Sequence, residues 1–123
     1  MAAVGASESA AALKQYELWW AELPAPAGRR PVMLLQRGGA AAYLNHLLVA
    51  EITTQVRGIP QELALGPREG LDRRSVANFD NMRLVRKSRL VSRIGQLQPQ
   101  REVELKRAIG RVFGWPELDE LEG

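Results

Sequence analysis

The sequence predicts a mainly β domain closed by one C-terminal α-helix and folded as a small antiparallel barrel or curled sheet. Three observations carry this reading. Five or six short apolar or β-branched runs follow one another closely, Gly and Pro clusters bound them, and the apolar period changes only after Pro99. At 123 residues the chain is the size of one domain with its own core, and it shows no internal repeat.

The first fifteen residues are Ala-rich and broken by Gly5, Ser7 and Ser9, with no apolar face to dock, so residues 1–15 are expected to be a flexible leader. "YELWWAEL" (16–23) is aromatic and partly alternating, and it stops at "PAPAG", whose prolines cannot join a central strand. In a strand Trp19 and Trp20 point to opposite faces, which predicts one ring in the core and the other exposed. "PVMLLQ" (31–36) lies between Arg30-Pro31 and Gly38-Gly39 and predicts a short buried strand, with Arg29 left in the preceding loop. "LLVAEITTQV" (47–56) and "QELALG" (61–66) predict a third and fourth strand joined across "RGIP".

After the loop "PREGLDRR", the segments 75–85 and 89–97 supply two more strands. From Pro99 onward Leu105, Ala108, Ile109, Val112 and Phe113 fall on one helical face, and Gly114 supplies the stop. The domain is therefore expected over residues 16–114. "WPELDELEG" (115–123) is left as an acidic, disordered tail, with Trp115 placed to cover the helix end.

Composition removes several kinds of chemistry. Without cysteine there is no disulfide, thiolate nucleophile or cysteine-ligated metal, and with His46 alone there is no histidine-rich site. No metal or other cofactor is expected. His46 reads as a strand-edge residue. No apolar run approaches the ~18 residues that suggest a membrane span, and the N-terminus lacks the pattern of a signal peptide, so the expected location is the cytoplasm. The net charge of +3 hides a basic body: without Glu117, Asp119, Glu120 and Glu122, residues 1–116 carry +7. That excess favours a polyanionic partner such as nucleic acid.

No Ser-His-Asp or Cys-His set can be assembled, and no acidic cluster has magnesium-site spacing. Between Asn81 and Arg101 the chain carries Arg83, Arg86, Lys87, Arg89, Arg93 and Arg101 with no carboxylate among them. Such a run is either a solvated sheet edge or a strip that tracks phosphates. The hydroxyls of Thr53 and Thr54 stand at a strand end, as β-branched filler or as donors to a phosphate, and an exposed tryptophan can stack on a base or enter a dimer interface.

Taken in order, "ELWWAELPAPAGRRPVMLLQ", "YLNHLLVAEITTQVRGIPQELALG" and "GLDRRSVANFDNMRLVRKSRLVSRIGQL", closed by one helix, resemble the MazF/PemK family of toxin endoribonucleases. The similarity spans roughly residues 16–114. It rests on the aromatic first strand, the Arg-Pro step opening the second, the Thr-Thr step ending the third, and the Asp-Asn-x-Arg segment. The resemblance implies an SH3-like, PemK-type barrel and a homodimeric, metal-independent enzyme that cuts single-stranded messenger RNA at short sequences. It also implies neutralisation by a cognate antitoxin.

By the same resemblance Arg30 and Thr53 hold and activate the scissile phosphate, and Asp80 stands where some members carry a catalytic or RNA-contacting acid. The RNA-contacting set expected around them is Arg29, Trp20, Thr54, Gln55, Asn81, Arg83, Arg86 and Lys87. Attack by a ribose 2′-hydroxyl on its own phosphate needs proton transfer and charge stabilisation, and gives a 2′,3′-cyclic phosphate and a 5′-hydroxyl. The Arg30 guanidinium suits stabilisation rather than proton abstraction. The base stays open among Asp80, Glu22 and water.

Two departures stand out: Tyr16 occupies the position of a family glycine, in a loop expected near the active site, and Asn78 stands where one branch has an arginine. The fold also serves gyrase-poisoning toxins that occupy a protein without cutting RNA, and a degenerate toxin that only binds antitoxin or RNA is a third reading. The Arg-Pro and Thr-Thr steps together favour the nuclease. The acidic tail is also a candidate cis-acting mask of the RNA groove.

Overall fold

A computed structural model describes residues 13–122. Six strands form one antiparallel sheet: β1 (Glu17–Leu23), β2 (Gly28–Leu34), β3 (His46–Thr53), β4 (Glu62–Leu65), β5 (Ser75–Arg86) and β6 (Leu90–Gln96). Their order across the sheet is β4-β5-β3-β2-β1-β6, and one helix, α1 (Glu102–Phe113), follows.

The sheet curls until its two edge regions meet. The turn Pro67–Glu69 after β4 packs on β6, and the approach is close enough that glycine is required on both sides. Gly70 has φ +96, a region that favours glycine, and a Cβ at Gly95 would overlap the Glu69 carbonyl oxygen. Arg101, at the start of α1, fastens this seam: it pairs with the buried Glu69 at 3.3 Å and with Glu104 at 2.8 Å. Its hydrogen bond holds the Glu104 carboxyl below the ordinary value against the opposing effect of burial. The result is the curled, mainly β arrangement with a terminal helix that the sequence predicts.

The two faces of the sheet carry separate cores because strand side chains alternate. One contains Leu23, Val32, Leu34, Leu47, Val49, Val85 and Leu90; the other contains Leu18, Met33, Ile52, Leu63 and Phe79, and receives Leu105 and Ala108 from α1. Leu13 is buried in the first core and Gln15 donates its side-chain amide to the Leu35 carbonyl, so residues 13–15 pack with the domain instead of joining a leader. The remainder of that expected leader, residues 1–12, lies outside the described residues.

Tyr16 has φ +69, the left-handed region in which a Cβ is strained and glycine is not. This is the physical reason a glycine suits that position. Here the ring packs against the second core, and burial, then the Glu102 carboxylate, pushes its hydroxyl above the ordinary pKa. Next to it Glu17, buried inside β1, accepts from the Lys14 backbone N–H, the Trp19 indole and Arg93 Nε at 2.8, 3.3 and 2.7 Å.

Two boundaries and one side-chain placement differ from expectation. β2 begins at Gly28, so Arg29 and Arg30 lie in the strand and not in a loop. Proline is tolerated at position 31 because β2 pairs with β3 only over Val32–Leu34, and the stretch before it is a two-stranded ribbon with β1. β3 stops at Thr53. On α1, Phe113 turns outward at 52 % exposure and stacks on Trp115, their ring centroids 4.8 Å apart, so it does not join the buried stripe.

The tail folds back on α1. Pro116–Glu120 forms a 3₁₀ turn, Leu118 packs over Gly110, Asp119 pairs with Arg111 at 3.2 Å, and Arg107 donates to the Leu121 carbonyl. An acidic segment next to a basic helix face has partners that composition alone does not reveal.

Candidate active site

Beyond Val32 and Glu51 the pairing of β2 with β3 lapses and the two strand ends part. Continued register would set Arg30 opposite Thr53, and both residues stand at the opening. Two cavities meet there. One, about 350 Å³, is lined by Trp20, Arg30, Pro31, Ile52, Thr53 and Thr54 on one side and by Leu71, Asp72, Arg73, Ser75 and Ile94 on the other. The second, about 160 Å³, is lined by Ala27, Arg30, Glu51, Thr53, Gln55, Arg57, Asn78 and Asn81. Arg30, Ile52 and Thr53 belong to both, so the arginine and threonine form the wall between them. The larger volume is in the range of ligand clefts, roughly 300–1,000 Å³.

Arg30 is exposed and extended, as a residue before proline tends to be, and its Nε donates to the Ala27 carbonyl at 3.1 Å. That bond anchors the guanidinium and leaves its terminal nitrogens as a charged fork for an anion. The Thr53 hydroxyl accepts from the Gln55 N–H at 3.1 Å, which fixes the turn after β3 and leaves the hydroxyl proton to donate outward. Arg29 sits over the Trp20 ring at 5.4 Å and does not line the cavity, so it backs the indole whose surface contributes to the cavity wall.

The other predicted residues divide into two groups. Thr54, Gln55 and Asn81 join Arg30 and Thr53 at the cavities, as does Trp20. Asp80 lines neither. It sits on a bulge, where Ala50 pairs with Met82 but Glu51 pairs with Asn78, and its N–H donates to Asn78 Oδ1 at 2.9 Å. Glu22 also lies outside both cavities, and so does Tyr16.

The basic run does not form a free strip. Arg83 pairs with Glu51 at 3.2 Å, Lys87 donates to the Ala41 carbonyl at 2.7 Å, and Arg93 and Arg101 are held by the buried carboxylates Glu17 and Glu69. Arg86 lies opposite His46 at the far end of β5. Sequence reasoning missed Asp72, Arg73, Ser75 and Arg57, all in or beside loops. The signal present was Gly70 inside "PREGLDRR", a sign of close backbone approach that here brings the loop against β6 and over the cavity.

Among the described residues no three His, Asp or Glu side chains gather to hold a metal ion, and no helix is long and apolar enough to cross a membrane. A small curled β domain whose strand ends present an arginine fork beside threonine hydroxyls offers an anion charged and neutral hydrogen-bond donors.

The family follows from comparison. A family model described as PemK-like, MazF-like toxin of type II toxin-antitoxin system matches residues 14–113, and the chain belongs to that family. It is 43 % identical over 82 residues to a Mycobacterium tuberculosis protein named "Probable endoribonuclease MazF5", covering 66 % of this chain and 74 % of that one. It is 37 % identical over 84 residues to "Endoribonuclease MazF3" of the same species, covering 68 % and 82 %. The solved structure of "Mycobacterium tuberculosis toxin MazF-mt6" superposes with a TM-score of 0.75 at 34 % identity, over 80 % of this chain and 96 % of that one. An endoribonuclease in complex with its cognate antitoxin from a mycobacterial species shares the fold, with a TM-score of 0.74 at 22 % identity over 85 % and 98 %.

Proposed function

We propose that this chain is a sequence-specific, metal-independent endoribonuclease toxin that cleaves single-stranded messenger RNA, works as a homodimer in the cytoplasm and is neutralised by a cognate antitoxin. The observation that carries the reading is the placement of Arg30 and Thr53 on the wall shared by two cavities, inside a domain whose curated relatives are named endoribonucleases. Those names also favour a nuclease over a toxin that only occupies a protein partner.

The scissile phosphate sits on the Arg30 fork, with Thr53 donating to a second oxygen. The 2′-hydroxyl oxygen attacks phosphorus as it loses its proton, the bond to the 5′ oxygen breaks, that oxygen takes a proton from water, and the products are a 2′,3′-cyclic phosphate and a 5′-hydroxyl end. Arg30 acts by neutralising charge that grows on the phosphorane. Glu22 and Asp80 line neither cavity and Glu51 is held by Arg83, which leaves water and Asp72, a carboxylate of the larger cavity with no ion pair among the described residues, as acceptors of the 2′ proton; this reading assigns it to water. Incubating the protein with a long RNA in EDTA and mapping both ends of each cut tests the proposal. Cuts at a recurring short sequence with cyclic-phosphate ends are expected. Intact RNA, with the protein folded, refutes it.

A further inference from the structure

The larger cavity is lined by residues beyond Arg30 and Thr53 that the cleavage step does not use. Resting on the endoribonuclease reading, the geometry points to a nucleobase pocket selective for guanine, in which Trp20 stacks on the base and Asp72 reads its edge.

The pocket has an aromatic and apolar lining. Trp20 lines it as the aromatic wall, stiffened from behind by Arg29, and Leu71 and Ile94 supply apolar surface. Arg30 and Thr53 line the same cavity, so a nucleotide whose phosphate rests on Arg30 has its neighbouring base beside that lining.

Two polar groups of the lining present acceptors. Asp72 is exposed to the cavity and has no ion pair among the described residues. Ser75 is 4 % exposed and spends its hydroxyl proton on the Arg73 carbonyl at 3.0 Å, which leaves its oxygen as an acceptor. Arg73 adds one donor group beside them. A carboxylate accepts two parallel hydrogen bonds only from two adjacent donors, and among RNA bases only the guanine edge offers them, as N1–H and the N2 amino group. The guanine O6 next to them is an acceptor that suits Arg73. Adenine and cytosine each pair one donor with an adjacent acceptor, and uracil sets its one N–H between two carbonyls; each would bring a lone pair against the carboxylate. A free carboxylate in a site for a polyanion repels the backbone, so its placement there favours ligands that repay it with base hydrogen bonds.

The test measures binding separately from cutting. Hexamers of 2′-O-methyl uridine, which cannot be cleaved, carry a single guanine, inosine or adenine, and binding to the full chain is followed by quenching of tryptophan fluorescence. Guanine is expected to bind roughly 5- to 150-fold more tightly than adenine, and inosine, lacking the N2 amino group, about tenfold more weakly than guanine. Asp72→Asn should abolish the preference for guanine, and Arg30→Ala should weaken all three hexamers while keeping their ratio. Equal affinity for guanine and adenine, or a full guanine preference in Asp72→Asn, overturns the pocket. The two readings separate cleanly: a chain that prefers guanine but leaves unmodified RNA uncut supports the pocket and refutes the nuclease, whereas cutting at a recurring sequence with equal affinity for the guanine and adenine hexamers does the reverse.

Discussion

Replacing Arg30 by alanine is the sharpest perturbation of the proposed chemistry. The side chain is exposed and makes no ion pair among the described residues; its one hydrogen bond, to the Ala27 carbonyl, orients it without holding the fold together. Stability should therefore change by no more than about 0.5 kcal/mol, the usual range for surface substitutions. Catalysis should suffer far more, because the change removes a forked, charged pair of donors from the phosphorane. One preorganised donor is worth about 10²–10³ in rate, and a charged fork is expected to reach about 10²–10⁴, or roughly 3–5 kcal/mol. Arg30→Lys retains the charge but loses the fork and the tether to Ala27, which predicts a smaller loss of about 10- to 100-fold. Single-turnover cleavage of a fluorophore–quencher RNA in EDTA gives the rates, with circular dichroism melting as the control for folding. An Arg30→Ala protein that melts normally and cuts within threefold of the parent refutes the assignment of Arg30 to the reaction.

Three further outcomes follow from the packing. Gly95→Ala drives a methyl group into the Glu69 carbonyl at the seam, a backbone clash costing about 1–3 kcal/mol, and should lower the melting temperature by roughly 5–15 °C; Gly38→Ala, with open space around it, should leave it within about 2 °C. Tyr16 has its pKa raised above 10.0, so the stability it contributes is present below pH about 10 and lost as pH rises through the folded-state value. Tyr16→Phe should consequently flatten the fall in melting temperature between pH 9 and 11, and an unchanged slope would count against the buried hydroxyl. Deleting residues 115–123 uncovers Gly110 and unpairs Arg107 and Arg111, which predicts a lower melting temperature with the cleavage rate of the folded protein within twofold. A severalfold rise in cleavage would instead mean that the tail masks the RNA site.

The order of strands and helix was legible in the chain because its signals are local. Alternation places Trp19 and Trp20 on opposite faces, Pro99 and Gly114 punctuate the helix, and Arg30-Pro31 and Thr53-Thr54 mark the strand ends that flank the cavities. Even the unusual Tyr16 was visible as a residue where a glycine belongs, although its positive φ was not.

What remained hidden depends on neighbours distant in sequence. The arginines between Asn81 and Arg101 look alike in the chain, yet Arg83 and Arg93 find carboxylates 32 and 76 residues away, which sets them apart from neighbours that are unpaired among the described residues. Asp80 and Asn81 are adjacent, but the bulge in β5 sends only Asn81 to a cavity. The sequence marks residues 66–74 only as a loop whose shape bears on base preference; the seam at Gly70 and Gly95 is what carries Asp72 and Arg73 to the cleft. The amino-acid sequence by itself thus determined the elements, the family and the Arg-Pro and Thr-Thr steps on which the proposed phosphate site rests. Tertiary structure alone decided which charges stay free and which loop completes the cavity, because both depend on where the sheet closes on itself.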